Sequence, residues 1–385
     1  MALKTAYRIN GERFDVLENE RVKAVKSGVY NFIFDKRTGL HMRWGRDADD
    51  DPEFGPVGPE ILDLEISVNG CPNMCPWCYK GNTNEKPTNM TFETFKKIVD
   101  KMPPCLTQIA FGITGVQTNP DFIRMLKYCY ETGIVPNFTL SGIDLTDEIA
   151  KEIVRYIGAV AVSAYSHMKD LCYDTIRKFL DLGVKQTNMH LLVSAENLSF
   201  VYEVLDDIKK DERLRGLNAV VLLGYKPKGP GKDDFHPAAY SDFEAIVRYA
   251  LKNDIPIGFD SCSAPKFERY VRENITEPKR VAAMLSMSES CESSLFSSYI
   301  NVKGEFWNCS FCEGEDWVEP VNVLEAEDFL RDVWYSPQVV AFRKKLLATT
   351  VDGTRSCPAF PEINHLSESV ELVNDGTDVQ KLPER

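Results

Sequence analysis

The sequence has no long uninterrupted apolar segment. No apolar run approaches the roughly 20 residues that a membrane-spanning helix needs, and residues 1–15 lack the apolar stretch of a secretory signal peptide. These absences exclude a typical membrane-spanning helix. We therefore expect a cytoplasmic protein that has no membrane partner.

Positive charge is scarce relative to negative charge. The 45 Lys and Arg residues are outnumbered by 58 Asp and Glu residues, which gives a formal net charge of −13. Proteins that bind nucleic-acid backbones usually cluster Lys and Arg on one face. The composition therefore argues against general binding to phosphate backbones, but it leaves open a small or flipped-out nucleotide as a substrate.

Low-complexity segments are absent, and the recurring pattern is a strand followed by a helix. β-rich segments at 61–68, 106–114, 135–141, 159–165, 185–193 and 218–225 alternate with amphipathic segments. This order predicts successive βα units around a parallel sheet. We predict an α/β fold with a partial (β/α)6 TIM-like barrel over residues 61–258.

The connections carry several helix and turn signals. Asn119 and Pro120 predict a helix start, Gly133 predicts the end of that helix, and Ser241 with Glu244 predicts a capping box. Residues 1–60 predict an N-terminal β-hairpin that turns near residues 37–39 and either caps the barrel or contacts substrate. Residues 361–385 are a polar C-terminal tail.

Polar residues alternate with apolar residues along the predicted strands. Because the outer face of a barrel strand packs on helices, the polar set is expected to point into the lumen. That set is Asp63, Glu65, Ser67, Gln108, Asn137, Thr139, Ser141, Ser163, Tyr165, Gln186, Asn188 and His190. Such a lumen predicts a site for a polar ligand at the carboxyl ends of the strands.

The chain has eleven cysteines, which fall into three groups. Without an export signal a disulfide framework is not expected, and the spacings suggest metal binding. Cys105, Cys129 and Cys172 sit in apolar patterns and are interpreted as small buried residues. The other two groups are Cys71, Cys75 and Cys78, and Cys262, Cys291, Cys309, Cys312 and Cys357.

Cys71, Cys75 and Cys78 directly follow the first predicted strand. Three thiolates can hold three irons of a four-iron cluster and leave the fourth iron open to a small molecule. A ferredoxin site would need a fourth nearby cysteine, and a structural zinc site usually shows two CxxC pairs. This spacing, with Trp77 before the last cysteine, resembles the signature of the radical S-adenosylmethionine (SAM) superfamily.

The resemblance implies that these three cysteines hold a [4Fe–4S] cluster that binds SAM. SAM would be cleaved reductively to a 5′-deoxyadenosyl radical that abstracts hydrogen from a substrate, with a flavodoxin- or ferredoxin-like electron donor. The backbone near Tyr79 would meet the adenine. Further SAM contacts are implied for Gly112, Thr114, Gly115, Gln117, Ser141, Ser163 and Asn188.

Two groups of these implied contacts need comment, because one departs from the family pattern and the other has an ordinary alternative. The turn at residues 112–117 lacks the carboxylate of the family's GGEP-like turn, so Thr114 or Gln117 would substitute for it. Ser141, Ser163 and Asn188 could equally make ordinary hydrogen bonds within the lumen.

The C-terminal third resembles a second element of the same superfamily. Cys291, Gly304 and Cys309 match the spacing of the SPASM/twitch extensions, with a hairpin turn at Lys303 and Gly304. The resemblance implies a SPASM/twitch-like domain at residues 259–360 with one auxiliary [4Fe–4S] cluster. Its ligands would come from Cys262, Cys291, Cys309, Cys312 and Cys357, and Cys262 is the candidate for a free thiol near substrate. A four-cysteine zinc site remains the alternative.

Three functions remain open at the level of sequence. The first is radical SAM chemistry on a peptide or protein side chain, and the second is the same chemistry on a modified nucleobase, nucleoside or other small metabolite. The third is a non-catalytic metal-binding or electron-transfer protein, against which the polar lumen counts. Tyr165, His190 and Cys262 are the candidate catalytic residues, although His190 could simply be a hydrogen-bonded residue of the inner wall.

Overall fold

A computed structural model describes residues 1–47 and 50–364 of the chain. Most of the predicted polar tail, residues 365–385, lies outside the described residues. The chain begins with a five-stranded antiparallel sheet in sequential order. Its strands are β1 Ala2–Ile9, β2 Glu12–Glu18, β3 Val22–Lys26, β4 Asn31–Asp35 and β5 His41–Trp44.

The predicted N-terminal hairpin is the β4–β5 pair, and Gly39 lies in its turn with a positive φ of 73°. The three preceding strands, β1, β2 and β3, were not predicted. Asn10 and Gly11 form the β1–β2 turn with positive φ values of 52° and 85°. That Asn-Gly pair is a strong signature of a two-residue hairpin turn, so this strand pair was predictable.

The second part of the chain alternates strands and helices. Its elements are β6 Ile61–Glu65, β7 Ser67–Val68, β8 Thr88–Asn89, α1 Phe92–Lys101, β9 Gln108–Gly112, α2 Phe122–Glu131, β10 Val135–Leu140, α3 Asp147–Ile153, β11 Ala159–Ser163, α4 Lys169–Asp181, β12 Gln186–Val193, α5 Leu198–Lys210, β13 Ala219–Gly224, α6 Tyr240–Lys252 and β14 Ile257–Phe259. The six predicted strands are all present in shorter form, and β14 was missed.

The last part of the chain adds helices and short strands. They are α7 Ala264–Asn274, α8 Pro278–Leu285, β15 Ser297–Ile300, β16 Glu305–Trp307, β17 Val321–Asn322, α9 Pro337–Ala348, β18 Thr350–Val351 and β19 Thr354–Arg355. The predicted hairpin with its turn at Lys303 and Gly304 is the β15–β16 pair. None of the helices in the described part of the chain is long and apolar enough to cross a membrane.

The central sheet has the order β14-β13-β12-β11-β10-β9-β6-β15-β16-β17. The strands from β14 to β15 run parallel, and β16 and β17 are antiparallel. The fold is therefore mixed α/β with a parallel sheet, as predicted. Because β15 pairs with β6, the C-terminal part continues this sheet.

The predicted alternation of the parallel strands is observed. Leu62 and Leu64 of β6 are fully buried and pack in one core with Phe95 and Ile98 of α1. Along β12, odd and even positions alternate between buried and half-buried. The apolar face of the sheet therefore packs on the helices, and the polar residues lie on the opposite face.

One predicted helix start is wrong. The helix α6 begins at Tyr240 with Ala239 at its N-cap position and no side-chain cap, so Ser241 and Glu244 form no capping box. The backbone before this helix is held extended, because Pro237 bridges to Ser194. Gly133 lies just beyond α2 with a positive φ of 77°, which confirms the predicted helix end.

The N-terminal sheet covers the amino ends of the parallel strands. Lys23 of β3 donates to the carbonyl of Leu106 at 2.6 Å, directly before β9. Glu60, directly before β6, accepts from Tyr30 at 2.5 Å and from Arg43 at 2.9 Å. The N-terminal sheet thus caps the end of the strands opposite to Cys71, Cys75 and Cys78.

Candidate functional site

The first cysteine group lies in a loop between β7 and β8, at the carboxyl end of the central sheet. The backbone amide of Cys71 donates to Thr83 at 2.9 Å, and that of Cys78 donates to Cys75 at 3.0 Å. Met74 takes a positive φ of 43° between the first two cysteines. These turns leave all three cysteine residues half-buried.

The thiol of Cys75 interacts with both neighbouring cysteines and with Tyr165. Burial raises the pKa of Cys75 to about 11, a hydrogen bond from Tyr165 opposes that shift, and Cys71 and Cys78 add to it. The three sulfur atoms therefore interact electrostatically with one another. Tyr165 lies within hydrogen-bonding distance of Cys75, a predicted cluster ligand.

A glycine-containing loop packs directly on the backbone of the first cysteine loop. A Cβ atom on Gly229 would collide with the carbonyl oxygen of Cys78, and one on Gly231 would collide with that of Pro76. Trp77 contacts Phe235 of the same loop edge-to-face, with ring centroids 5.5 Å apart. Only residues without a side chain permit this approach, so the loop at residues 225–232 packs directly against the first cysteine loop and supports it.

A buried polar network joins the first cysteine loop to the C-terminal part of the chain. Lys80 lies 2.9 Å from Glu65 and donates to Tyr299 at 2.7 Å. Lys80 also pairs with Glu313, which accepts from Tyr299 at 2.9 Å and from Asn301 at 2.9 Å. Glu65, predicted to face the lumen, is thus neutralised by a residue of the cysteine loop.

The residues of the predicted SAM turn already make hydrogen bonds within the protein. The Thr114 hydroxyl donates to Asn69 at 2.9 Å, and the Gln117 side-chain amide donates to the Asp144 carbonyl at 2.6 Å. Gly112 lies beside Glu65, and Gly115 lies beside Asp144. In this arrangement Thr114 holds the start of the first cysteine loop.

The remaining predicted SAM and substrate residues line the polar face of the sheet. Ser163 bonds to Tyr165, and Asn188 accepts from Asn218 at 2.8 Å. Ser141, at the end of β10, is 9% exposed. Ser163 and Asn188 thus make hydrogen bonds within the protein, and their implied contacts to SAM stay predictions.

His190 lies on the same face and is neutral at physiological pH. Its Nδ1 atom is 3.3 Å from the hydroxyl oxygen of Thr139. Burial lowers the pKa of His190 to about 4, although Asp260 opposes that shift. The ring can therefore accept or donate one hydrogen bond without carrying charge.

The five C-terminal cysteines gather in one region. Cys309 and Cys312 lie with their sulfur atoms 3.5 Å apart. Burial raises the pKa of Cys357, and the neighbouring Cys291 raises it further. Burial also raises the pKa of Cys291, with a further contribution from Cys309. Cys262 packs on Cys357 and Phe360. Within residues 1–47 and 50–364, no three His, Cys, Asp or Glu side chains converge tightly enough to hold a single metal ion.

A buried ammonium group and a buried indole lie near these cysteines. Lys226 is 5% exposed, pairs with Asp260 at 2.5 Å and interacts electrostatically with Cys262. Trp307 is 8% exposed and packs in the same core as Cys291 and Cys312. Its Nε1–H has no acceptor among residues 1–47 and 50–364. This unpartnered donor fits a region that receives a sulfur-rich group.

Sequence reasoning missed several residues that organise the site. They are Lys80, Asp260, Tyr299, Phe311 and Glu313, which join the first cysteine loop, the central sheet and the C-terminal part. Glu313 follows Cys312 directly and Lys80 follows Cys78 by two positions, so their placement next to cysteines was the available signal.

Comparison with solved structures identifies proteins of the same fold. Streptococcus suis SuiB bound to S-adenosylmethionine superposes with a TM-score of 0.58 at 16% identity over 75% of this chain and 68% of that chain. SuiB bound to its precursor peptide SuiA gives a TM-score of 0.60 at 13% identity over 85% and 90%.

A second solved protein gives the same result. The protein anSMEcpe with bound AdoMet and Cp18Cys peptide superposes with a TM-score of 0.54 at 13% identity over 74% of this chain and 83% of that chain. These likenesses show that the chain shares its fold with SuiB and anSMEcpe, which were both solved with S-adenosylmethionine bound.

Sequence comparison adds one curated relative over a short region. A tungsten-containing aldehyde ferredoxin oxidoreductase cofactor-modifying protein of Pyrococcus furiosus is 31% identical over 99 residues. The aligned region covers 25% of this chain and 28% of that relative. No family model matches the chain.

Proposed function

We propose that this protein is a radical SAM enzyme that modifies a peptide or protein side chain. The observation that carries the proposal is the loop with Cys71, Cys75 and Cys78, which offers three neighbouring thiols at the carboxyl ends of the parallel strands. Three protein thiolates on a four-iron cluster leave one iron for another ligand.

Cysteine thiolate is the preferred protein ligand of iron–sulfur clusters, and the first loop supplies it without a nearby fourth cysteine. Cys71, Cys75 and Cys78 would hold a [4Fe–4S] cluster, which with SAM bound would supply one-electron reductive cleavage of SAM. Tyr165 orients Cys75 through its hydrogen bond, and the loop with Gly229 and Gly231 shields the backbone of the first cysteine loop from water.

The polar face of the sheet is the proposed substrate chamber. Neutral His190 and the accessible carboxylate of Asp63 lie on this face, below the first cysteine loop. The N-terminal sheet covers the opposite end of the strands, so substrate enters from the carboxyl end. Active sites of parallel barrels lie at that end.

Four of the five C-terminal cysteines are proposed to hold one auxiliary [4Fe–4S] cluster. Cys309 and Cys312 approach each other, Cys291 and Cys357 interact with them, and the unpartnered Trp307 Nε1–H provides a donor for a sulfur acceptor. A flavodoxin- or ferredoxin-like protein is the proposed electron donor.

Peptides are the preferred substrate class because structures of the same fold were solved with peptides. SuiB is bound to precursor peptide SuiA, and anSMEcpe is bound to Cp18Cys peptide. A small metabolite is the second candidate, and the partial similarity to a cofactor-modifying protein favours it.

Anaerobic reconstitution with iron and sulfide tests the proposal. We expect about eight irons per chain and formation of 5′-deoxyadenosine from SAM after reduction. The variant Cys71→Ala/Cys75→Ala/Cys78→Ala should lose about four irons and all SAM cleavage, whereas Cys129→Ala should keep both. Bound zinc, or intact SAM after reduction of the fully loaded protein, would overturn it.

Mass spectrometry then separates the two substrate classes. A peptide substrate gives a mass change that fragmentation assigns to one side chain. Turnover of nucleosides or small cofactors, with no change in any peptide of a diverse library, would favour the second candidate.

A further inference from the structure

Asp63 is an acidic residue in the middle of β6 that faces the polar side of the sheet. Its neighbours Leu62 and Leu64 are fully buried against the helices. Because side chains alternate along a strand, Asp63 points away from that core. Its side chain is exposed to solvent on that face.

Asp63 has no hydrogen-bond or ion-pair partner among residues 1–47 and 50–364. Glu65, two residues further along β6, differs in this respect, because it lies 2.9 Å from Lys80 and accepts from the backbone of Val302. Because its side chain is exposed, the Asp63 carboxylate is hydrated and is free to accept an incoming cation. Glu65 is already paired with Lys80, so Asp63 differs from it in being available to a ligand.

The polar network that follows Asp63 on β6 has a negative excess. The carboxylates of Glu65 and Glu313 share one ammonium group, that of Lys80. The register partners of Asp63 are Ala110 on β9 and Tyr299 on β15, and neither carries charge at neutral pH. Tyr79 also lies near enough to interact with Asp63, and it is neutral as well.

We propose that Asp63 anchors a positively charged side chain of the peptide substrate, a lysine or an arginine. This inference rests on the proposed function. The geometry supports it because Asp63 lies two residues before Glu65 on β6, farther from the carboxyl end of the strand. The partner of Glu65 is Lys80, which belongs to the first cysteine loop. A cationic side chain that reaches Asp63 passes beneath that loop, which places its methylene groups next to the site of hydrogen abstraction.

The electrostatics agree with this assignment. Burial raises the pKa of Asp63 to about 6, so the group is ionised at neutral pH despite its surroundings. A lysine or arginine would supply the missing counter-charge through a charge-assisted hydrogen bond. An uncharged side chain of the same length would fill the space but leave the carboxylate unpaired.

Binding of two matched peptides tests the anchor. Isothermal titration of the reconstituted enzyme with SAM present compares acetyl-Gly-Gly-Lys-Gly-Gly-amide with its norleucine counterpart. We expect the lysine peptide to bind at least tenfold more tightly. In Asp63→Asn this preference should vanish while norleucine-peptide binding is unchanged, and Asp63→Glu should retain part of it.

The control is Asp170→Asn, which neutralises an exposed acid on the outer helix α4. It should keep the full preference. Equal binding of both peptides to the wild type, no measurable binding of either, or a preserved preference in Asp63→Asn would overturn the anchor. Loss of SAM binding in Asp63→Asn would also overturn it, because Asp63 would then serve SAM.

The anchor and the proposed function fail in different ways. If SAM is cleaved but the peptides bind equally, the anchor is wrong and the radical SAM function stands. If the lysine peptide is preferred but SAM stays intact, the anchor stands as a binding site and the function is wrong. Thermal melts of each variant verify that it is folded.

Discussion

The ring of Tyr79 stacks on the ring of Phe311, with centroids 4.2 Å apart and planes 29° from parallel. Tyr79 follows Cys78, and Phe311 lies between Cys309 and Cys312. One aromatic contact thus joins the two cysteine groups. The ammonium of Lys226 lies 4.8 Å from the Phe311 ring centroid. Asp260, which pairs with Lys226, interacts electrostatically with Cys262.

Loss of this stack should loosen the second cysteine region. Aromatic pairs contribute about 0.5–1.5 kcal/mol beyond the area they bury. We expect Phe311→Leu to lower the free energy of unfolding by about 1 kcal/mol and to speed iron loss to a chelator. Tyr130→Leu is the control, since Tyr130 is 61% exposed. Chelator kinetics indistinguishable from wild type would show that the stack does not hold this region.

The buried Lys226–Asp260 pair gives a larger expected effect. Removing one partner of a buried ion pair costs about 3–5 kcal/mol, because the other charge stays buried without a counter-charge. Lys226→Met should therefore destabilise the protein strongly, and Lys226→Met/Asp260→Asn should recover much of the loss. Chemical denaturation measures all three proteins.

A surface pair provides the matched comparison for Lys226 and Asp260. Lys96 and Asp100 form an exposed pair on α1, and exposed pairs contribute only about 0–1 kcal/mol. Lys96→Met should therefore have little effect on the free energy of unfolding. A double variant no more stable than Lys226→Met would mean that the two charges do not compensate each other.

Four of the five C-terminal cysteines are expected to retain the auxiliary cluster. Cys291, Cys309 and Cys357 interact with one another, and Cys312 lies 3.5 Å from Cys309. Cys262 interacts with Cys291 and Cys357, but it also lies beside the Lys226–Asp260 pair. We predict that serine at positions 291, 309, 312 or 357 removes about four irons, and that Cys262→Ser removes none.

Iron analysis and thiol labelling decide between Cys262 and the others. In the folded, loaded wild type, Cys262 should be the C-terminal cysteine that a small alkylating reagent labels while the cluster is intact. If Cys262→Ser loses four irons while another variant keeps them, the free thiol has been assigned to the wrong cysteine.

The first cysteine loop and the strand pattern were predictable because their signals are local. Cys71, Cys75 and Cys78 lie within eight residues, and β12 alternates at every second position. The contacts that join distant segments were not predictable. Lys80 pairs with Glu313, which is 233 residues away in the sequence. The paired strands β6 and β15 are even farther apart in the sequence. No local sequence pattern therefore predicts either contact.

His190 should make the folded protein sensitive to acid. Its pKa falls from an ordinary value of 6.5 to about 4 on folding, because burial disfavours the charged ring. Between those two pH values the unfolded chain binds a proton that the folded protein does not bind. The free energy of unfolding should therefore fall as the pH drops from 6.5 to 4, by up to about 3 kcal/mol.

The variant His190→Gln isolates this contribution. It removes the titrating group, so its free energy of unfolding should vary less with pH than that of the wild type between pH 6.5 and 4, with no difference in slope above pH 7. Urea denaturation at several pH values measures both proteins. His236→Gln is the control, because His236 is exposed and pairs with Glu196. Equal slopes for wild type and His190→Gln would show that His190 accepts its proton in the folded state, which would contradict its placement as a neutral residue of the chamber wall.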